Sequence, residues 1–196
     1  MPNKSTRSTS TTTAQKGTAS PLFTADYPIY INHTDAGGIV YHANHLVFFE
    51  NCRRDWFSKL GLPGYFLQTD DGEIQHFVVS QAQLQYRKAI LLDEVISVRI
   101  DQVELKPASI VFHQSIHRNL ATNDDLPESH TLLSSAKIII ACVQNQTKPE
   151  PSTPISKNDT SALAALPNAT PIRPIRVPQK LHDTIQQAIT HHTDEY

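Results

Sequence analysis

An α+β domain, with an antiparallel sheet wrapped on one long helix, is predicted by three features of this chain. Helical periodicity holds over a single long stretch, about residues 44–60. Four runs of β character follow it with no second long helix between them, and the last of them, residues 136–143, is almost wholly apolar. Strands that follow one another after a lone helix bury their apolar face by packing on it. A length of 196 residues accommodates one ordinary domain and not two comfortable ones.

Each element has its own warrant. Ten of the first 20 residues are Ser or Thr, so residues 1–22 are expected to be a disordered tail. The run 27–31 reads as an edge strand, because Pro28 cannot donate to a ladder. Gly37 and Gly38 then announce tight backbone. Leu46, Phe49, Trp56 and Leu60 recur at helical spacing, with Asn44 as N-cap and Gly61 and Pro63 as the stop. A loop at 64–73 leads to the first β run, where Val78, Ser80, Ala82, Leu84 and Tyr86 alternate with Gln81, Gln83 and Gln85. Ile96, Val98 and Ile100 alternate with Ser97, Arg99 and Asp101, and Ile110, Phe112 and Ile116 mark the third run. The fourth, 136–143, should be a central strand buried on both faces. Residues 119–131 read as a polar hairpin loop. The domain therefore spans 23–143 and is followed by a disordered Pro-rich insertion at 144–170. A C-terminal segment, 171–196, carries a short amphipathic helix at about 179–189.

Composition removes several classes of function. A net charge of −2 is incompatible with a globally basic nucleic-acid binder. No apolar run approaches the ~18 residues of a membrane span. The N-terminal stretch lacks the apolar core of a secretory signal, and with one Arg and no amphipathic face it reads as a tail rather than a transit peptide. The cytoplasm is the expected location. Cys52 and Cys142 lie among apolar neighbours and are expected to be buried free thiols.

The chemistry-bearing residues concentrate in 34–44, TDAGGIVYHAN. An acid, a glycine turn and a helix N-terminus fall within ten residues of one another. Unpaired N–H groups and the positive dipole end at a helix start can polarise a carbonyl or hold an oxyanion. Asp35 beside them can act as general base or nucleophile on an acyl carbon. On residue types alone a second reading stays open, with Asp35 a loop or capping residue and the glycines a plain turn.

This stretch, together with Phe48, Phe49 and Glu50, resembles the hotdog-fold acyl-CoA thioesterases of the 4-hydroxybenzoyl-CoA thioesterase family, nearest the branch encoded with the bacterial Tol–Pal system. The likeness continues through His76, Tyr86, Ala89, Asp93, Lys106 and Ser109 and ends near Val143, about 120 residues in all. It implies a hotdog fold and hydrolysis of an acyl-CoA to free acid and coenzyme A, with no cofactor or metal. Asp35 would attack the thioester or activate water. The His42 backbone N–H would polarise the carbonyl, with the imidazole in support. Gly38, Val40, Tyr41, Lys106 and Ser109 are the implied substrate contacts, and Arg87 with Lys88 is a second basic candidate for the coenzyme phosphates. The resemblance also implies a homodimer or tetramer whose sites lie between subunits. The run 78–86 is the expected pairing edge, its glutamines suited to water before assembly and to hydrogen bonds afterwards. The Arg- and Pro-containing run 171–178 offers at most a weak contact to membrane or lipid-synthesis proteins.

The chain departs from that branch at four places. Ile31 replaces a Tyr, His33 an Asp, His45 a Tyr and Lys88 a Pro. Two rival functions follow: a non-catalytic acyl-thioester binding or scaffold protein, and a dehydratase, which would need a separate His–acid pair. His33 and His45 are expected to be hydrogen-bonded structural groups rather than metal ligands. Glu50 is expected to be a helix residue with a buried hydrogen bond.

Overall fold

The computed structural model describes residues 20–62, 66–68, 74–119, 131–144 and 174–194. Strand β1 (Phe23–Pro28) leads through a 3-10 turn (Ile31–His33) and a tight loop into α1 (Asn44–Lys59). Then come β2 (Phe66–Gln68), β3 (Ile74–Tyr86), β4 (Val95–Lys106), β5 (Ser109–Arg118), β6 (Leu132–Gln144) and α2 (Gln179–Asp194). The strands form one antiparallel sheet in the order β1-β4-β5-β6-β3-β2. This is the α+β layout expected of the sequence, with α1 on one face of the sheet.

Alternation dictates which side chains meet the helix. On β5, Ile110, Phe112, Gln114 and Ile116 point to α1, and their β6 partners Ile140, Ile138, Ala136 and Ser134 lie on the same face. Trp56 of α1 meets the Phe112 ring edge-on at 6.2 Å, and the buried Cys52 thiol donates to the Val98 carbonyl of β4 at 3.4 Å. From α2, Leu181 and Ile185 join the same core.

Several boundaries differ from the sequence reading, each for a local reason. The first strand is 23–28 rather than 27–31, because Phe23, Ala25 and Tyr27 carry the inward alternation and the backbone turns at Ile31. Among the described residues it is an edge strand, paired only with β4. The domain begins before residue 23, since Ser20 Oγ lies 3.1 Å from His192 Nε2 of α2. The N-cap is Ala43, not Asn44, whose side chain instead donates to the His33 carbonyl at 2.7 Å. Short β2 lies inside the expected loop at 64–73. It pairs with the start of β3, which begins four residues before the first apolar position in the expected run.

A bulge between Val79 and Gln81 of β3 breaks the predicted alternation, so Val78 shares a face with Gln81 rather than with Ala82. β6 is central, as expected. Its α1 face is sealed, but Ser135, Lys137 and Ile139 on the other face are only half-buried. α2 runs on to Asp194, its last turns joined by Thr190 and Thr193 hydroxyls donating to carbonyls four residues back. The expected tail up to residue 19, the hairpin loop at 120–130 and the insertion at 145–170 lie outside the described residues.

Candidate active site

The loop before α1 is a closed miniature hairpin. Thr34 bridges Val40, the Asp35 N–H donates to the Ile39 carbonyl at 2.9 Å, and the Tyr41 N–H donates to the His33 carbonyl at 3.0 Å. Gly38 takes the left-handed conformation (φ 74°) that closes the tip, and its N–H returns to the Asp35 carbonyl at 3.1 Å. Its own carbonyl accepts from Leu92 N–H at 3.1 Å, which ties the tip to the connection between β3 and β4. Asp35 itself is exposed, and its Oδ1 accepts the Gly37 N–H at 2.7 Å. The carboxylate is thus oriented by one backbone bond.

At the base of this hairpin the chain enters α1. Helix starts leave their first amides without intrahelical acceptors, and among the described residues the His42 N–H has no hydrogen-bond acceptor. The His42 side chain is exposed, its ring 4.3 Å from that of Tyr41. An acid and an open helix mouth therefore belong to one rigid unit. That combination can place a base or nucleophile and an electrophilic clamp on the same acyl group.

The expected substrate contacts divide. Gly38 and the half-exposed Tyr41 border the loop. Val40 is 7% exposed with its N–H bonded to the Ile90 carbonyl, so its side chain anchors the loop to the core rather than facing a ligand. Lys106 and Ser109 form the last pair of the β4–β5 hairpin, whereas the Asp35 loop sits beside residues 90–92, just before β4. The 12 residues of β4 separate them, roughly 35 Å at about 3.3 Å per residue. One chain does not bring these two groups together. Arg87 and Lys88, directly after Tyr86, are at the Asp35 end.

His33 and His45 are hydrogen-bonded, as expected. His33 Nδ1 accepts the Tyr30 N–H at 3.0 Å, and buried His45 has Nδ1 2.9 Å from Ser134 Oγ. Burial, with a smaller contribution from nearby His42, pushes the His45 pKa down to about 4, so its imidazole is neutral at ordinary pH. Among the described residues Glu50 does not have the buried hydrogen bond expected of it. It is exposed and lines, with Phe77, Val78, Val79 and Ile140, a groove of about 270 Å³. Burial raises the thiols to about 12 for Cys52 and about 11 for Cys142, which removes both as nucleophiles. The Tyr86 hydroxyl donates to the His42 carbonyl at 3.1 Å, a role that nothing local in the sequence marks beyond a place at the end of an apolar alternation.

A sheet wrapped on one helix, with an acidic loop delivered to that helix's N-terminus, defines the hotdog class of acyl-thioester proteins. The chain belongs to the thioesterase-like superfamily, whose family model matches residues 30–185. Over 117 residues it is 36% identical to the acyl-CoA thioesterase YbgC of Haemophilus influenzae, covering 59% of this chain and 76% of that one. It is 29% identical over 122 residues to the acyl-CoA thioester hydrolase YbgC of Escherichia coli, covering 62% and 82%. A solved 4-hydroxybenzoyl-CoA thioesterase in complex with 4-hydroxybenzoyl-CoA shares the fold with a TM-score of 0.59 at 19% identity, covering 82% of this chain and 96% of that one.

Proposed function

We propose that this chain is a cytoplasmic acyl-CoA thioesterase in which Asp35 drives hydrolysis and the mouth of α1 polarises the thioester carbonyl. The observation that carries this reading is the closed loop from Thr34 to Val40, which holds the Asp35 carboxylate and the open His42 amide in one unit. As base, Asp35 takes a proton from water while the oxygen adds to the acyl carbon. As nucleophile, it adds directly and forms an anhydride that water then opens. In both routes the carbonyl oxygen gains charge beside the His42 N–H, and the intermediate collapses with loss of the coenzyme A thiolate, which takes up a proton. The His42 imidazole, exposed at the same mouth, is placed to support that proton transfer.

The site is completed by a second copy of the chain. Among the described residues β2 covers only the first residues of β3, so β3 presents an open edge over 77–86, the run expected to pair. Antiparallel pairing of two such edges about a two-fold axis sets each end of one sheet against the opposite end of the other. The partner's hairpin bearing Lys106 and Ser109 then lies on the same side as Asp35, where coenzyme phosphates would need cations.

The test is Asp35→Asn, assayed for thiol release over a panel of acyl-CoAs. Turnover should fall by about 10²–10⁴ while ester binding survives. Wild-type turnover in this variant would overturn the assignment.

A further inference from the structure

Three side chains from three elements meet behind the mouth of α1. The Tyr86 hydroxyl of β3 donates to the His42 carbonyl at 3.1 Å. His45, in the first turn of α1, lies edge-on to the Tyr86 ring, centroids 4.9 Å apart and planes at 89°. On its other side His45 Nδ1 is 2.9 Å from Ser134 Oγ of β6. His45 is 4% exposed and Ser134 fully buried, whereas Tyr86 is 51% exposed and its hydroxyl bond to His42 lies at the surface.

The backbone explains why a clamp is needed. In a regular α-helix the His42 carbonyl would accept the Leu46 N–H, four residues on. That N–H goes to the Ala43 carbonyl instead, at 3.1 Å, a tight 3-10-like turn. The Tyr86 hydroxyl supplies the carbonyl with the partner the helix does not.

We infer that Tyr86, backed by His45 and Ser134, is a positioning residue for thioester hydrolysis. It fixes the His42 carbonyl, while the Tyr41–His42 peptide that carries the His42 N–H is held through its own carbonyl, which accepts the Asn44 N–H at 2.8 Å; with both adjoining peptides held, the His42 amide keeps its direction. The inference rests on the proposed role of that amide. An oxyanion donor is effective only when it is already aimed at the charge that will develop, because reorienting it during the reaction consumes the gain. Held on one side by the Asn44 N–H and on the other by the Tyr86 hydroxyl, whose ring rests on a buried imidazole, the His42 amide is aimed in this sense.

Tyr86→Phe keeps the ring against His45 and deletes the hydroxyl. Under steady-state thiol release, kcat should fall roughly five- to ten-fold, the scale of one lost hydrogen bond, with KM and Tm unchanged. His45→Gln, which can still bond Ser134, should retain more kcat than His45→Leu. Wild-type kcat in Tyr86→Phe overturns the inference, and so does a kcat loss that comes only with a fallen Tm. Equal kcat in His45→Gln and His45→Leu overturns the backing role of His45. Asp35→Asn in the same assay separates the two levels. If it is inactive while Tyr86→Phe is fully active, only the positioning role fails; if it is active, the assignment of the site fails.

Discussion

Gly37→Ala and Gly38→Ala change adjacent residues of the Asp35 loop and should fail in different ways. A Cβ on Gly37 would stand 3.1 Å from Asp35 Oδ1 and 3.7 Å from Ile39 Cγ1. Gly37 is not among the positive-φ residues, so alanine meets no backbone strain there. Its cost falls on the carboxylate, which is bonded to the Gly37 N–H at 2.7 Å and must retreat by a few tenths of an ångström. Since a misplacement of about 1 Å costs roughly 10²-fold, this retreat should lower kcat roughly three- to ten-fold. Tm should hardly move. Gly38 is the reverse case: its Cβ would meet nothing within 4 Å, but its φ is +74°. An L side chain there costs about 1–2 kcal/mol, or roughly 2–8 °C in Tm for a domain of this size. The assay pairs thiol release with thermal unfolding for both variants. Full kcat in Gly37→Ala would show that the Asp35 carboxylate is not held where the chemistry needs it, and equal Tm losses in the two variants would refute the division.

Other expectations follow from the same geometry. The folded-state pKa of His45, about 4, lies below the ordinary 6.5, so the unfolded chain takes up the proton first. Stability should therefore be full above pH 6.5 and fall by about 3 kcal/mol as pH drops to 4, and urea unfolding of wild type and His45→Gln would expose this slope by its absence in the variant. Among the described residues, buried Arg53 has one neutral acceptor, Gln114 Oε1 at 2.7 Å, and its Nε has no hydrogen-bond partner. Arg53→Met with Gln114→Leu should be neutral or stabilising, by up to about 4 kcal/mol, and a marked loss in denaturant melts would contradict that. Val79→Lys puts a charge on the open β3 edge and should give an inactive monomer by sedimentation; an active monomer would refute the shared site. Removing residues 1–19 should leave Tm and turnover nearly unchanged, and a drop in either would show that the Ser/Thr-rich stretch packs on the domain.

Period alone exposed α1 and most of the sheet, because long regular elements repeat their burial many times. The stripe on α1 was harder. Leu46 fits helical spacing with Phe49 and Trp56, yet it is partly exposed, and the buried positions include His45 and Arg53. Nothing near those residues in sequence announces that Ser134 and Gln114, 89 and 61 residues away, will satisfy them. The bulge at Ser80 had no glycine or proline to mark it; the Ser80 hydroxyl instead donates across to the Ile139 carbonyl at 3.1 Å. The Asp35 loop was legible as a motif because its parts are consecutive. Tyr86 was not, because its relation to His42 exists only once β3 lies beside α1.

Lys106 and Ser109 show why a site can be half-legible. Their residue types suit a phosphate contact, but type says nothing of which end of a strand faces which ligand. Within one chain β4 carries them away from Asp35, and no loop movement spans that length. A single sheet over one helix also leaves the mouth of α1 open to water, which weakens any carbonyl polarisation. Both deficits have the same remedy in the proposed pairing of β3 edges, since a two-fold axis brings a foreign sheet end to each mouth and covers it. Tyr86 lies on the strand that would form that edge and also holds the His42 carbonyl. Assembly would thus bear directly on the residue that aims the amide, and activity should depend on the dimer more steeply than a lost coenzyme contact alone would require.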